Sequence, residues 1–259
     1  MKSDFQPVFI GERSDRKERI IFMIHPLVLD LHTHTLASGH AYGTIRENAQ
    51  AAQERGLAGL GVSEHAPGIP GTCDPIYFRN LKSVPRELYG VHIYFGTENN
   101  LLADGTMTLK ERELSRLDYG IVGIHGMCYQ DQGIERNTDN LIAAMADPKT
   151  FFVSHPDDST WPLDYERLVP AAKKLGVALE VNNSTVRENR RKNCIANIHT
   201  YLELCMRHGT HVIVSSDAHD PSEVGRFEAA EALLDEVGFD EDLIVNNSEK
   251  KFRAFIGLE

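Results

Sequence analysis

The sequence predicts an α/β barrel, on three observations. Short apolar runs alternate with helical patterns along most of the chain. The length, 259 residues, is that of a single barrel domain. No GxGxxG follows the first apolar run, which sets a barrel above the runner-up, an open doubly wound sheet.

Seven runs qualify as strands: 27–31, 58–62, 92–96, 119–123, 151–154, 177–181 and 211–215. After the first, 44–55 reads as a helix, because Thr44 and Glu47 fit a capping box and Gly56 stands where a helix stops. Further helices are expected at 138–146, 165–175, 195–208 and 223–237, with Gly176, Gly209 and Gly238 as terminators of the last three. Residues 1–22 carry no recognisable chemistry and read as a peripheral extension. Met23 is a candidate alternative start, and 23–259 is expected to be one domain.

Composition narrows the function classes. Hydrophobic residues at 41% and charged residues at 25% are ordinary globular values. The longest apolar stretches, such as 20–24, are far too short to span a bilayer, so a cytoplasmic protein without a membrane partner is expected. A net charge of −11 disfavours a stable nucleic-acid partner. Cys73, Cys128, Cys194 and Cys205 form no CxxC pair, which argues for reduced thiols and against a thiolate zinc site.

The chemistry lies where histidines and carboxylates fall relative to the strands. The first run leads into His32 and His34, with His40 six residues on. The next four end in His65, Glu98, His125 and His155, and the seventh in Asp217 and His219. In a barrel all C-terminal strand ends open on one face, so these nine side chains would converge. Imidazole and carboxylate suit zinc, manganese or iron, and nine ligands exceed the needs of one ion; two or three divalent cations are expected. The other five histidines, His25, His92, His199, His208 and His211, follow no strand end. Asp30 and Glu64 adjoin ligands and are expected to orient imidazoles.

The segments DLHTHTLASGHAY, SEHAP, GTENN, GIHGM, SHPDD, LEVNNS and SSDAH resemble the PHP (polymerase and histidinol phosphatase) domain, most closely its YcdX-like phosphatase branch, from about residue 27 onward. The resemblance implies a distorted TIM-like barrel of seven βα units with a trinuclear centre, described with zinc in this branch and with iron or manganese in others. It also implies a grouping of ligands: His32, His34, Glu98 and Asp217 on one metal, Glu98, His125 and His155 on a second, and His40, His65 and His219 on the third, with Glu98 bridging.

The expected activity is that of a metal-dependent phosphatase acting on a small phosphomonoester, with a hydroxide between two metals attacking phosphorus. Glu98, Asp217 and His219 are the ligands expected to carry catalysis. Arg79, Lys82, Asn182, Asn183 and Arg187 are candidate substrate contacts, the asparagines because they occupy the strand end that lacks a metal ligand. The alternatives are a phosphodiesterase, nuclease or other metal-assisted hydrolase, or a non-catalytic metal-binding module. The chain does not indicate an oligomeric state.

Overall fold

The computed structural model describes residues 26–258, so the extension 1–22, the start at Met23 and His25 lie outside the described residues. All seven expected strands are present: β1 (Leu29–Asp30), β2 (Gly59–Val62), β4 (Val91–Phe95), β6 (Gly120–Gly123), β7 (Thr150–Val153), β8 (Ala178–Asn182) and β9 (Val212–Ser215). Two more were not expected. β3 (Glu87–Leu88) folds back antiparallel on β4, and β5 (Glu98–Asn100) carries the third strand's ligand.

The helices α1 (Ile45–Glu54), α4 (Ile134–Met145), α5 (Tyr165–Leu175), α7 (Cys194–His208) and α8 (Glu228–Val237) match the expected five, with α4 starting earlier and α8 later. Thr44 and Glu47 form the capping box, each side chain accepting from the other's backbone N–H. Gly176, Gly209 and Gly238 close α5, α7 and α8 in left-handed backbone. The short helices α2 (Ile76–Asn80), α3 (Glu111–Leu114) and α6 (Asn183–Glu188), and the C-terminal α9 (Glu249–Phe255), are additional.

No closed barrel is seen among the described residues. The strands form two sheets, ordered β1-β2-β4-β3 and β5-β6-β7-β8-β9, parallel except for β3. Single bridges, His65 to Glu98 and Thr33 to Ala218, link their edges. At the junction of β4 and β5, Gly96 crosses the ring of Tyr119 so closely that a Cβ there would lie 2.5 Å from the ring, while its N–H still donates to the Val62 carbonyl of β2 at 2.8 Å.

Strand alternation divides the core in two. Val122, Val153, Leu179, Val212 and Val214 pack with the covering helices. Ile121, Phe152, Ala178 and Ile213 point the other way and join Leu29, Leu31, Tyr94 and Tyr119 in a cluster that draws on both sheets. Phe252 and Ile256, from α9 and the residue after it, complete that cluster. Gly61 makes room for Tyr119, since a Cβ there would meet the Tyr119 hydroxyl at 2.0 Å. That hydroxyl instead donates to the Leu31 carbonyl at 2.6 Å.

Candidate metal centre

All nine expected ligand side chains meet beyond the C-terminal ends of the strands, around Glu98. Its carboxylate, fully buried, lies 3.3 Å from His32 Nε2, 3.6 Å from His34 Nε2, 2.8 Å from His65 Nδ1, 3.1 Å from His125 Nε2 and 2.9 Å from His155 Nε2. Asp217 Oδ1 lies 3.2 Å from His34 Nε2, and His219 Nε2 lies 3.2 Å from His40 Nε2. Two of the nine, His155 at φ 33° and Asp217 at φ 55°, stand in left-handed backbone that non-glycine residues adopt at a cost. The turn at His155 is held by its N–H, which donates to Glu180 Oε2 at 2.6 Å.

Neighbouring acceptors set the imidazole tautomers. His32 Nδ1 donates to Glu180 Oε1 at 2.6 Å, His125 Nδ1 to Asn100 Oδ1 at 2.8 Å and His219 Nδ1 to the Asp217 carbonyl at 2.9 Å. Each acceptor lacks a proton to give, so the Nε2 lone pairs are left free. His34 follows the same logic one step removed, because Ser38 Oγ gives its own proton to Glu64 and receives that of His34 Nδ1 at 3.0 Å.

The electrostatics match this arrangement. Burial would raise the Glu98 carboxyl, but His125, His32 and His65 outweigh it and hold it well below the usual carboxylate range. Burial likewise opposes ionisation of Asp217 and is overcome by His32 and by the hydrogen bond with His34. His34 is pushed well down by burial and by His65, which keeps its ring neutral. His32 is the exception: burial acts to lower it, yet the charges of Glu180, Asp217 and Glu98 prevail and raise it well above its usual value.

Divalent cations fit this donor set. His32 Nε2, His34 Nε2, His65 Nδ1 and Glu98 Oε2 are buried and crowd one another, His65 Nδ1 at 2.8 Å from Glu98 Oε2, yet none makes a hydrogen bond, and a buried polar atom left unbonded is costly. Three sets of donor atoms each lie within 4.8 Å of one another: His32, His34 and Glu98; His65, Glu98 and His125; His34, His65 and His219. His65 thus belongs to the Glu98 group as well as to the His219 group, a closer sharing than the grouping implied by the resemblance.

The centre opens into a cavity of about 560 Å³. Arg191, Asp158 and Trp161 line it, none of them singled out in the sequence, together with apolar residues that include Ile69, Met127 and Leu163. Among the expected substrate contacts, Arg79 pairs with Glu113 at 3.8 Å, and neither it nor the exposed Lys82 lines this cavity. Arg187 pairs with Glu223 and Glu188 and lines an adjoining cleft that shares Asp217 and His219 with this cavity. Asn182 donates to Glu180 Oε2 and Asp217 Oδ2, both at 3.1 Å, while Asn183 Oδ1 accepts from Ala229 N and Ala230 N at the start of α8.

Asp30 and Glu64 touch no ligating ring. Asp30 accepts from Ser216 and from Gly225 N, and so fixes the loop that carries Asp217. Glu64 gathers Thr35, Ser38 and Tyr77 and acts on His34 through Ser38. The carboxylate that does hold a ring directly is Glu180. Its signal in the sequence is a lone acid inside the apolar run 177–181.

Fold and site together define an α/β protein with parallel sheets and a candidate centre for divalent metals at the strand ends. No family model matches the chain. A protein of Caldicellulosiruptor saccharolyticus named "probable phosphatase" is 37% identical over 235 residues, covering 90% of this chain and 97% of that one. Another of that name, from Caldanaerobacter subterraneus, is 40% identical over 235 residues, or 89% and 91% of the two chains. The chain belongs to the family of these probable phosphatases. Among solved structures, a histidinol phosphate phosphatase of Lactococcus lactis in complex with zinc, L-histidinol and phosphate shares the fold, with a TM-score of 0.56 at 17% identity over 83% of this chain and 95% of that one. A chain of an archaeal ribonuclease P with mature tRNA shares it too, with a TM-score of 0.57 at 14% identity over 88% and 90%. Among the described residues no helix is long and apolar enough to cross a membrane.

Proposed function

We propose that this protein is a PHP-type phosphatase that uses two or three divalent ions, zinc foremost, to hydrolyse a small phosphomonoester. One observation carries the reading: four buried donor atoms without hydrogen bonds, on His32, His34, His65 and Glu98, beside the cavity. His32, His34 and Asp217 would hold one ion with Glu98, His125 and His155 a second with Glu98, and His40, His65 and His219 a third. When bound, such ions supply Lewis acidity toward phosphoryl oxygens and lower the pKa of water toward neutrality.

The chain's own residues complete the site. Glu98 would help to hold two of the ions, since its carboxylate lies among His32, His34, His65, His125 and His155. Glu180 and Ser38 hold the rings of His32 and His34, and Asn182 holds Asp217. Arg191 lines the cavity with a guanidinium nitrogen 3.7 Å from Asp217 Oδ2, and takes the phosphate-binding role in place of Arg79 and Lys82, which line neither cleft at the centre. The acidic net charge of −11 favours a small ester over a long polyanion.

The test is initial-rate hydrolysis by metal-replete protein on phosphomonoesters, including histidinol phosphate, beside phosphodiesters and carboxylic esters, with Glu98→Gln as control. Preferential turnover of monoesters, lost in the variant, is expected. Turnover confined to diesters or carboxylic esters would overturn the phosphatase reading while leaving the metal centre standing.

A further inference from the structure

The cavity beside the candidate centre is lined by two kinds of surface. Apart from metal ligands, its polar side chains are Ser154, Asp158 and Arg191. Ser154 Oγ is committed to Glu98 Oε1 at 2.8 Å, Asp158 Oδ1 accepts from Thr160 N at 2.8 Å, and Arg191 contacts Thr185 Oγ1 and Asp217. The rest is apolar: Ile69, Ile124, Met127, Leu141, Trp161 and Leu163 among others. A polyol entering this space would trade hydrogen bonds to water for few replacements, and that loss rejects it. A hydrocarbon group gains by the same transfer.

Trp161 is held ready for such a group. Its backbone N–H donates to the Asp158 carbonyl at 3.0 Å, closing a turn that Ser159 N pins to the Lys192 carbonyl at 2.9 Å and that Asn197 pins to the Asp157 carbonyl at 2.6 Å. The indole edge lies 3.3 Å from where a Cβ on Gly126 would sit, so the missing side chain next to His125 admits the ring beside the ligand loop. Met127, 70% exposed, extends the apolar lining toward solvent.

We infer that the ester's alcohol portion is a compact apolar group of aromatic size, without polyol character, and that Trp161 is the residue that selects it. The inference rests on the phosphatase reading above and deepens it. A cavity of about 560 Å³ accommodates a one- or two-ring group beside a phosphoryl group.

The experiment uses alkyl esters of similar leaving-group basicity, so that rate differences report recognition. Benzyl phosphate is expected to exceed glycerol phosphate and ribose phosphate in kcat/KM by about tenfold or more, the yield of burying a ring. Trp161 is the chain's one tryptophan, so its fluorescence reports occupancy without turnover. Benzylphosphonate should change it at concentrations at least about tenfold below those needed with methylphosphonate. Trp161→Ala should collapse the benzyl-to-glycerol ratio mainly through KM, and Trp161→Phe should retain most of it. Met127→Gln, at an exposed position that folding does not need, should lower the ratio by about twofold.

Equal or faster turnover of the polyol esters, or a Trp161→Ala loss shared equally by every ester, overturns the inference. So does benzylphosphonate binding no tighter than methylphosphonate. Tight benzylphosphonate binding with no phosphomonoester hydrolysed would uphold the apolar selectivity of the cavity and overturn the phosphatase reading instead.

Discussion

The two ends of the same strands make the most instructive contrast in this molecule. Away from the site the shared inner cluster of Leu29, Tyr94, Tyr119, Phe152, Ile213 and Phe252 is apolar but for two hydroxyls, and both are satisfied, Tyr119's by the Leu31 carbonyl and Tyr94's by Glu249. At the strands' C-terminal ends the same layers turn into nine imidazoles and carboxylates, with four donor atoms left without hydrogen bonds and two residues in left-handed backbone. Stability is gathered at one end, and the features that cost stability are gathered at the other. Each end should therefore be breakable without the other.

The largest expected effect is at the polar end. Glu98→Gln, or removal of metal by chelation, should cut hydrolysis by about 10³-fold or more while the far-UV circular dichroism of the protein persists. Survival of activity in Glu98→Gln would remove the central residue from the scheme. The counterpart at the apolar end is Phe252→Ala. It should cost about 3–5 kcal/mol in denaturant unfolding, with kcat/KM preserved at temperatures where the variant stays folded.

Glu180→Gln sharpens the boundary between the two ends. It stands on β8 among apolar neighbours yet holds His32 Nδ1, and its loss should weaken metal binding by about 10–100-fold in a competition titration. Gly61→Ala probes the packing that separates the layers. The new methyl meets Tyr119 Oη at 2.0 Å and Leu31 Cα at 2.8 Å, and about 1–3 kcal/mol of destabilisation is expected. Adding Tyr119→Phe should recover only part, because the Leu31 backbone remains in the way.

The smallest effect is expected on α8, outside both regions. Burial, then Glu228 and Asp235, push the Glu231 carboxyl up, so the folded state binds this proton more tightly than the unfolded chain. Stability is consequently lost as pH rises from the ordinary carboxylate range through the raised value. Glu231→Gln should raise stability at neutral pH by about 0.5 kcal/mol, discounted for solvent screening of this half-exposed side chain, and should give no gain below about pH 4. A gain that persists in acid would show that charge is not its cause.

The sequence by itself determined the alternation of strand and helix, the helix ends at Thr44, Gly176, Gly209 and Gly238, and the placement of candidate ligands just after strands. These are local matters: a period of two or 3.6, a cap, a side chain at the end of an apolar run. It also carried enough motif to mark the resemblance to a phosphatase family. Only the tertiary structure decided that the strands form two sheets, because which strands pair is a matter of contacts between distant residues that no local pattern encodes. The same holds for Glu180 and His32, separated by 148 positions, and for Arg191 and Trp161, which reach the cavity from loops without a motif of their own. Asn183 shows the reverse error of a local argument. Its position after a strand suggested a substrate contact, whereas packing brought the start of α8 against it and took up its carbonyl oxygen. Local periodicity sets where a side chain can point, and long-range packing sets what it meets there.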